Sequence, residues 1–509
     1  MLAAQGIAAA GHGHSDDRPA APSAATLIAQ AIEAQGGRTA LEALNTIQWV
    51  GTGYRNMVEQ SERPEGPYVV EFQTISEARD LAHGSSRTET LSTVHPYGSY
   101  STVVTLAAGT AMTSSGGRNA PGDATVAQAE RERAALGPER LLLTAAAARD
   151  LHRERGETLQ SIRQDVLAFT LDGAPVRVFL NAYTHLPTAV DYSGPAARVG
   201  YWSLLGDVTQ RTYYGSWSLE QDGLRLPMQW NIEGNGLPDR MIAIHDLKVN
   251  APLPPSLFDI PAEIRAKYAA EPGADQRGTA PLAKALEIDP GVVFVPGSWN
   301  VAIIRQVDGL VVIEAPISPA YSEKVIAEAA RRFPGMRIKA VVSTSDSWPH
   351  FAGLRAYVAR GIPIYCLDLN VPLLTRNARA GYDAKPDLQE ERRRFPVMRP
   401  VDRRTVIGSG PNRLELYPLR GETTERQLMV YLPGRHLLYG SDAFQRDPSG
   451  SFAFPQTISE VTGAVAREGL RVDTFYMMHV DPTAWDDLVT EPGRSRHSDP
   501  GTAEGPRRS

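Results

Sequence analysis

From residue 291 onward, short runs that are apolar at every position alternate with helix-length amphipathic segments, and this constrains the fold more than any other feature of the chain. Runs such as 292–295 and 310–313 leave no polar face for water. A strand of that kind must be covered on both sides, so this half is predicted to be a layered α/β domain. Further strands are expected at 338–343, 364–367, 414–418, 427–431, 436–440 and 474–478, and helices at 319–332, 353–360 and 458–468. The charged stretch 387–394 reads as a solvated helix.

The first half has a different texture. Residues 24–44 read as an amphipathic helix stopped at Gly36-Gly37 and followed by one more turn. Short β-type runs follow at 47–51, 68–74, 99–106, 166–171, 176–181, 187–192, 208–217 and 226–232, with turn signals at Asp172-Gly173 and Asp222-Gly223. They predict an antiparallel sheet in sequence order, interrupted by a helical insert over 124–155 that is rich in Ala, Leu, Glu and Arg. The Pro-rich segment 251–262 and the polar stretch 270–279 mark a boundary. The expected division is therefore an antiparallel-sheet α+β domain over 24–265, a linker over 266–287 and the α/β domain over 288–489, flanked by a disordered or signal-remnant segment at 1–23 and a disordered tail at 490–509.

Composition narrows the partners. With Lys+Arg 52 against Asp+Glu 58 the net charge is −6, so no global basic field exists to hold a nucleic-acid backbone. The single cysteine, Cys366, can form neither an internal disulfide nor a thiolate zinc site, and reads as a small core residue in a strand. There is no apolar run of 18 residues, which excludes a spanning helix. The Ala-rich start, with an Ala-x-Ala-like run at 8–10, looks like the end of a secretory signal without its positive beginning. It places the chain in the periplasm or outside the cell, a cytoplasmic tail being the other reading; His12 and His14 in it are incidental. The sequence does not fix an oligomeric state.

The runs GVVFVPGSWNVAIIRQVDGLVVIEAP, VVSTSDSWPHFAGLRAYVARG, YLPGRHLLYGSDAF and YMMHVDPTAWDDL resemble the metallo-β-lactamase fold over roughly 288–489. The resemblance implies an αββα sandwich, two domains in all, and a hydrolase-like site. In that family a His-x-His-x-Asp-His loop supplies metal ligands; here the matching positions are Ser345, Ser347, Pro349 and His350. The next family histidine falls at Thr423, the bridging aspartate at Asp442 and the last histidine at His479. His350, Asp442 and His479 are thus the expected catalytic and metal residues, holding at most one ion, Zn²⁺ or alternatively Fe²⁺. Asp346 is a candidate replacement for the missing carboxylate. Two other readings use the same residues: a relic polar network without metal, and a metal-free arrangement of Ser345 or Ser347 as nucleophile, His350 as base and Asp442 as its orienter.

In the first half AQGGRTALEAL, YYGSWSLEQDGLRLPMQW and HDLKVNAPLPPSLFDIP are similar to LolA/LolB-like lipoprotein carriers over roughly 24–265. That likeness implies a curved antiparallel sheet over helices around an apolar cavity, with Trp202, Tyr213, Tyr214, Trp217 and Trp230 as its lining or its core. His245-Asp246 looks like an acid–base pair, but consecutive strand residues point to opposite faces. The functional expectation is a hydrolase with a depleted metal site acting on a small molecule; a non-catalytic apolar-ligand or partner-binding protein, or a rearrangement or elimination enzyme, is the alternative.

Overall fold

The computed structural model describes residues 21–57, 68–94, 98–122, 124–194, 206–220, 223–270, 282–297, 299–384, 386–446 and 450–490. The expected signal remnant before residue 21, Trp202, most of the linker and the tail after 490 lie outside them. No helix among the described residues is long and apolar enough to cross a membrane.

The first half is built on one antiparallel 14-stranded sheet. Two meanders, one from Thr46–Asn56 out to Arg118–Pro121 and one from Leu237–Val249 back to His152–Arg153, join where Thr46–Asn56 pairs with Leu237–Val249. The helices Ala24–Gln35 and Leu141–Ala147 lie on one face, where Leu27, Ile32, Leu141 and Leu142 pack on Trp49, Val176, Tyr214 and Trp230. The expected insert over 124–155 is shorter than the sequence reads. It divides into Ala124–Leu136 and Leu141–Ala147, and the chain is already extended at His152–Arg153.

The cavity expected from the carrier resemblance is filled. Trp49 and Trp230 meet edge to face at 5.3 Å, and the space beside them is about 10 Å³, no more than one water needs. Tyr213 and Tyr214 point to opposite faces, so Tyr214 and Trp230 are core, Trp217 is partly buried against it, and Tyr213 stacks under Arg211. The same face is also charged: buried Arg79 bonds Glu77 and Glu139, and Arg133 reaches Glu77 at 2.8 Å. His245 and Asp246 are both exposed, and Asp246 pairs with Lys248 at 3.6 Å, so they form no dyad.

Beyond it the chain forms the predicted αββα layers. Leu286–Asp289, Val292–Val295, Val301–Gln306 and Gly309–Ile313 run antiparallel, then Ile338–Ser343, Ile364–Leu367 and Met398–Val401 extend the same sheet in parallel. The second sheet runs Thr405–Ile407, Leu414–Pro418, Leu428–Leu432, Leu437–Tyr439, Thr474–Met477, Val480–Ala484. Period-two alternation sorts the apolar runs: Val292, Phe294, Ile304 and Ile313 face Leu416, Val430 and Tyr476 between the sheets. Val293, Ile303 and Val312 face outward to Pro319–Arg332, Leu354–Val358 and Val371–Arg379, and Met429, Leu438 and Phe475 face Pro455–Arg467. Every position of Val292–Val295 and Gly309–Ile313 is buried on one side or the other, which is why these strands carry no polar alternation. Cys366 is buried in Ile364–Leu367 as expected, and burial pushes its thiol up to about 12.

The linker expectation is corrected at both ends. Ala262–Ala270 is helix and Leu286–Asp289 is strand, and the turn at Asp207 reaches across to the layered half. There Asp207 donates its amide to Gly381 and accepts those of Asp383 and Ala384 at 2.9 and 3.0 Å.

Candidate functional site

Four strands deliver their carboxyl ends to one site at the edge of the two sheets. Glu314 follows Gly309–Ile313, Thr344 follows Ile338–Ser343, Ser441 and Asp442 follow Leu437–Tyr439, and His479 follows Thr474–Met477. Backbone bonds tie the ends together: Glu314 donates to Val342, Leu428 to Thr344, Met478 to Ser441 and Asn300 to Met478, all at 2.8 to 2.9 Å. Asn300 adds side-chain bonds to the carbonyls of Met477 and Val480. Glu314 and Ser441 sit at φ +74° and +61°. Left-handed backbone at a non-glycine residue costs about 1 kcal/mol or more, and here both side chains turn into the buried cluster at this site.

The floor is a sealed polar cluster. Glu314, Thr344, His350 and Ser441 are wholly buried. His350 Nδ1 lies 3.1 Å from a Glu314 carboxylate oxygen and 3.4 Å from the Thr344 hydroxyl. Thr344 donates to Glu314 and lies 2.8 Å from the Ser441 hydroxyl. Burial pushes the His350 pKa down, but the charge and hydrogen bond of Glu314, helped by Asp442 and Asp346, prevail and raise it above the ordinary imidazole value. Tyr439 and Tyr476, stacked at 4.8 Å, border the cluster, and burial followed by the charge of Glu314 raises both phenols. His350 Nε2 and the Tyr476 phenol oxygen are buried with no hydrogen-bond partner among the described residues.

Above this floor is a second, accessible pair. His479 Nε2 lies 3.3 Å from Asp442, with 32% of the His479 side chain exposed, and Gln445 donates to the same Asp442 oxygen at 3.1 Å. The Trp299 ring lies beside the imidazole at 6.4 Å. At the rim, Arg426 approaches Asp346 at 3.9 Å.

The structure therefore brings together two of the three expected ligands. Asp442 and His479 pair, whereas His350 turns its Nδ1 to Glu314. Among the described residues no group of three or more His, Cys, Asp or Glu is placed to hold a metal ion. The serine reading is corrected in the same way: the carboxylate that orients His350 is Glu314 instead of Asp442, and Ser345 spends its hydroxyl accepting the Ser347 amide at 3.1 Å. Thr423 is held by its own amide on Glu460. The residues that sequence reasoning missed are Glu314, Thr344, Ser441, Tyr439 and Tyr476. The signal for Glu314 was present, since a lone carboxylate closes the apolar run VVIE.

No family model and no curated protein matches this chain. Among solved structures, the metallo-beta-lactamase from Pontibacter korlensis is similar over 40% of this chain and 95% of its own, at 15% identity and a TM-score of 0.33. The DIM-1 metallo-beta-lactamase is similar over 42% and 95%, at 14% identity and a TM-score of 0.31. The sec-alkylsulfatase Pisa1 from Pseudomonas sp. is similar at 17% identity and a TM-score of 0.30, and the match spans only 41% of that enzyme's length. The αββα layering rests on the strand order and the three apolar layers of this chain and stands without these likenesses.

Proposed function

We propose that the αββα half is a hydrolase-like unit whose working group is the Asp442–His479 pair, acting on a small-molecule ester, thioester or lactam. The observation that carries this is the placement of a carboxylate-bound, partly exposed imidazole at the carboxyl ends of the strands, where ligands bind in layered α/β folds. Asp442 at Nε2 orients the imidazole, and the ring takes a proton from water as the water adds to the carbonyl carbon. The same proton then passes to the leaving oxygen, sulfur or nitrogen as that bond breaks. The sealed Glu314–His350 cluster beneath holds the strand ends that carry the pair.

A competing reading keeps one Zn²⁺ or Fe²⁺ on His350, Asp442 and His479. It is favoured by the unpartnered His350 Nε2, which would ligate while Nδ1–H stays on the Glu314 carboxylate. The non-catalytic reading has the pair as a surface ion pair and the site as a binding groove. To separate them, we would assay the purified full chain against p-nitrophenyl esters, thioesters and a chromogenic cephalosporin, beside His479→Ala and Asp442→Asn. Losses of about 10²-fold or more in kcat for both variants are expected of a general base and its orienter. Turnover unchanged in both, or absent from the wild type on all three substrate classes, would refute the proposal.

A further inference from the structure

One helix of the layered half touches both the first half and the rim of the Asp442–His479 site. Val371–Arg379 has 9 residues and is about 13 Å long. At its amino end the wholly buried Asn370 donates from its side chain to the Arg426 carbonyl at 2.8 Å, and Arg426 donates back to the Leu369 carbonyl at 2.9 Å. The two bonds hold the backbone and the side chain of Arg426 together. Its guanidinium lies 3.9 Å from Asp346 at the rim, and two residues further on the Leu428 amide donates to the Thr344 carbonyl at 2.8 Å.

The carboxyl end of the same helix is gripped from two sides. From within, buried Arg355 donates to the carbonyls of Asn377, Ala378 and Ala380 at 2.8 to 3.2 Å. From without, the first half closes on it: Asp207 donates its amide to the Gly381 carbonyl at 2.9 Å, and one oxygen of its carboxylate accepts the Asp383 and Ala384 amides. The approach is close, since a Cβ on Gly206 would lie 2.8 Å from the Gly381 oxygen. Val208 then carries the chain of the first half into the apolar cluster that also holds Leu373, Leu374 and Ala378. A packed helix shifts as a unit because its hydrogen bonds run along its axis and its neighbours leave no slack. A displacement at Gly381 therefore reaches Asn370, and through it Arg426.

We infer that the antiparallel-sheet half braces the rim of the Asp442–His479 site through Val371–Arg379, with Asp207 as a positioning residue for Arg426 and Asp346. The inference rests on the Asp442–His479 reading for what the rim serves, whereas its test needs no turnover.

Hydrogen–deuterium exchange of the full chain, followed by mass spectrometry, tests it in Asp207→Ala, Gly206→Ala and Asp207→Asn. The first strips the acceptor from two amides, and the second wedges the turn off Gly381. Both are expected to speed exchange about tenfold over 371–380 and about fivefold over 424–428, with the central strand Gly309–Ile313 left at its wild-type rate. Asp207→Asn keeps an acceptor oxygen for the Asp383 and Ala384 amides and is expected to hold the wild-type pattern. Exchange over 424–428 that is unchanged in Asp207→Ala and Gly206→Ala would overturn the inference. So would acceleration that extends equally to Gly309–Ile313, or an Asp207→Asn variant as fast as Asp207→Ala.

Discussion

Replacing Glu314 by Gln would keep the shape of the buried cluster while removing its charge. Glu314 accepts from His350 Nδ1 and from the Thr344 hydroxyl, and both residues are sealed from water. Hydrogen bonds to a charged group are worth roughly 1 kcal/mol more than neutral ones, so losing the charge from two of them costs about 2 kcal/mol while His350 is protonated. The pH dependence gives the sharper test. In the wild type Glu314 raises the folded-state pKa of His350 above its unfolded value of about 6.5. The resulting stability is fully present below that value and is lost as pH rises through the folded pKa, because the native state there holds the proton that the unfolded chain has released. In Glu314→Gln the largest remaining influence is burial, which lowers the pKa, so the sign reverses and the variant gains stability as pH rises toward 6.5. The imidazole ¹³C shift of His350 followed by NMR titration, with urea unfolding at pH 5.5 and 8, reads both effects. A wild-type His350 that titrates below the ordinary value, or a variant that titrates with it, would refute the reasoning.

Two further outcomes are expected. Arg355→Met should destabilise the layered half by about 3–5 kcal/mol, since the buried guanidinium binds Asp387 and three carbonyls and its loss strands them all; chemical denaturation monitored by a probe in that half measures it, and a change below about 1 kcal/mol would contradict it. We also propose that the two halves fold independently and that limited proteolysis cuts first within 271–281. The fragments should stay associated through the contacts of Asp207 and separate more readily in Asp207→Ala, whereas a single uncuttable core would show the boundary to be wrong.

How much of this was legible in the sequence depended on whether burial was apolar. Val292–Val295 and Gly309–Ile313 could be placed because nothing but a covered strand explains them. Ser85–Val94 could not, because its buried positions include Ser86, Thr88 and Ser92, whose hydroxyls bond Glu130, Glu77 and Glu71 in place of packing on hydrocarbon. Polar burial erases the alternation by which a strand is recognised. The same cause hid the charged face of the large sheet, so aromatic residues such as Trp230 suggested a cavity that Trp49 and the helices fill. At the site, Asp442 and His479 were reachable through the family resemblance, and the structure pairs them. The pairing of His350 with Glu314 was not reachable, because that carboxylate comes from a different strand and no spacing along the chain reports which carboxylate the imidazole meets.

We propose that the accessible Asp442–His479 pair works without a metal. It is tested most directly by kcat/KM for the best ester substrate, measured on the full chain before and after exhaustive dialysis against a chelator. The two values are expected to agree within error. Activity that disappears on dialysis and returns with one Zn²⁺ per chain would contradict it, and would place His350 back beside Asp442 and His479 as a ligand.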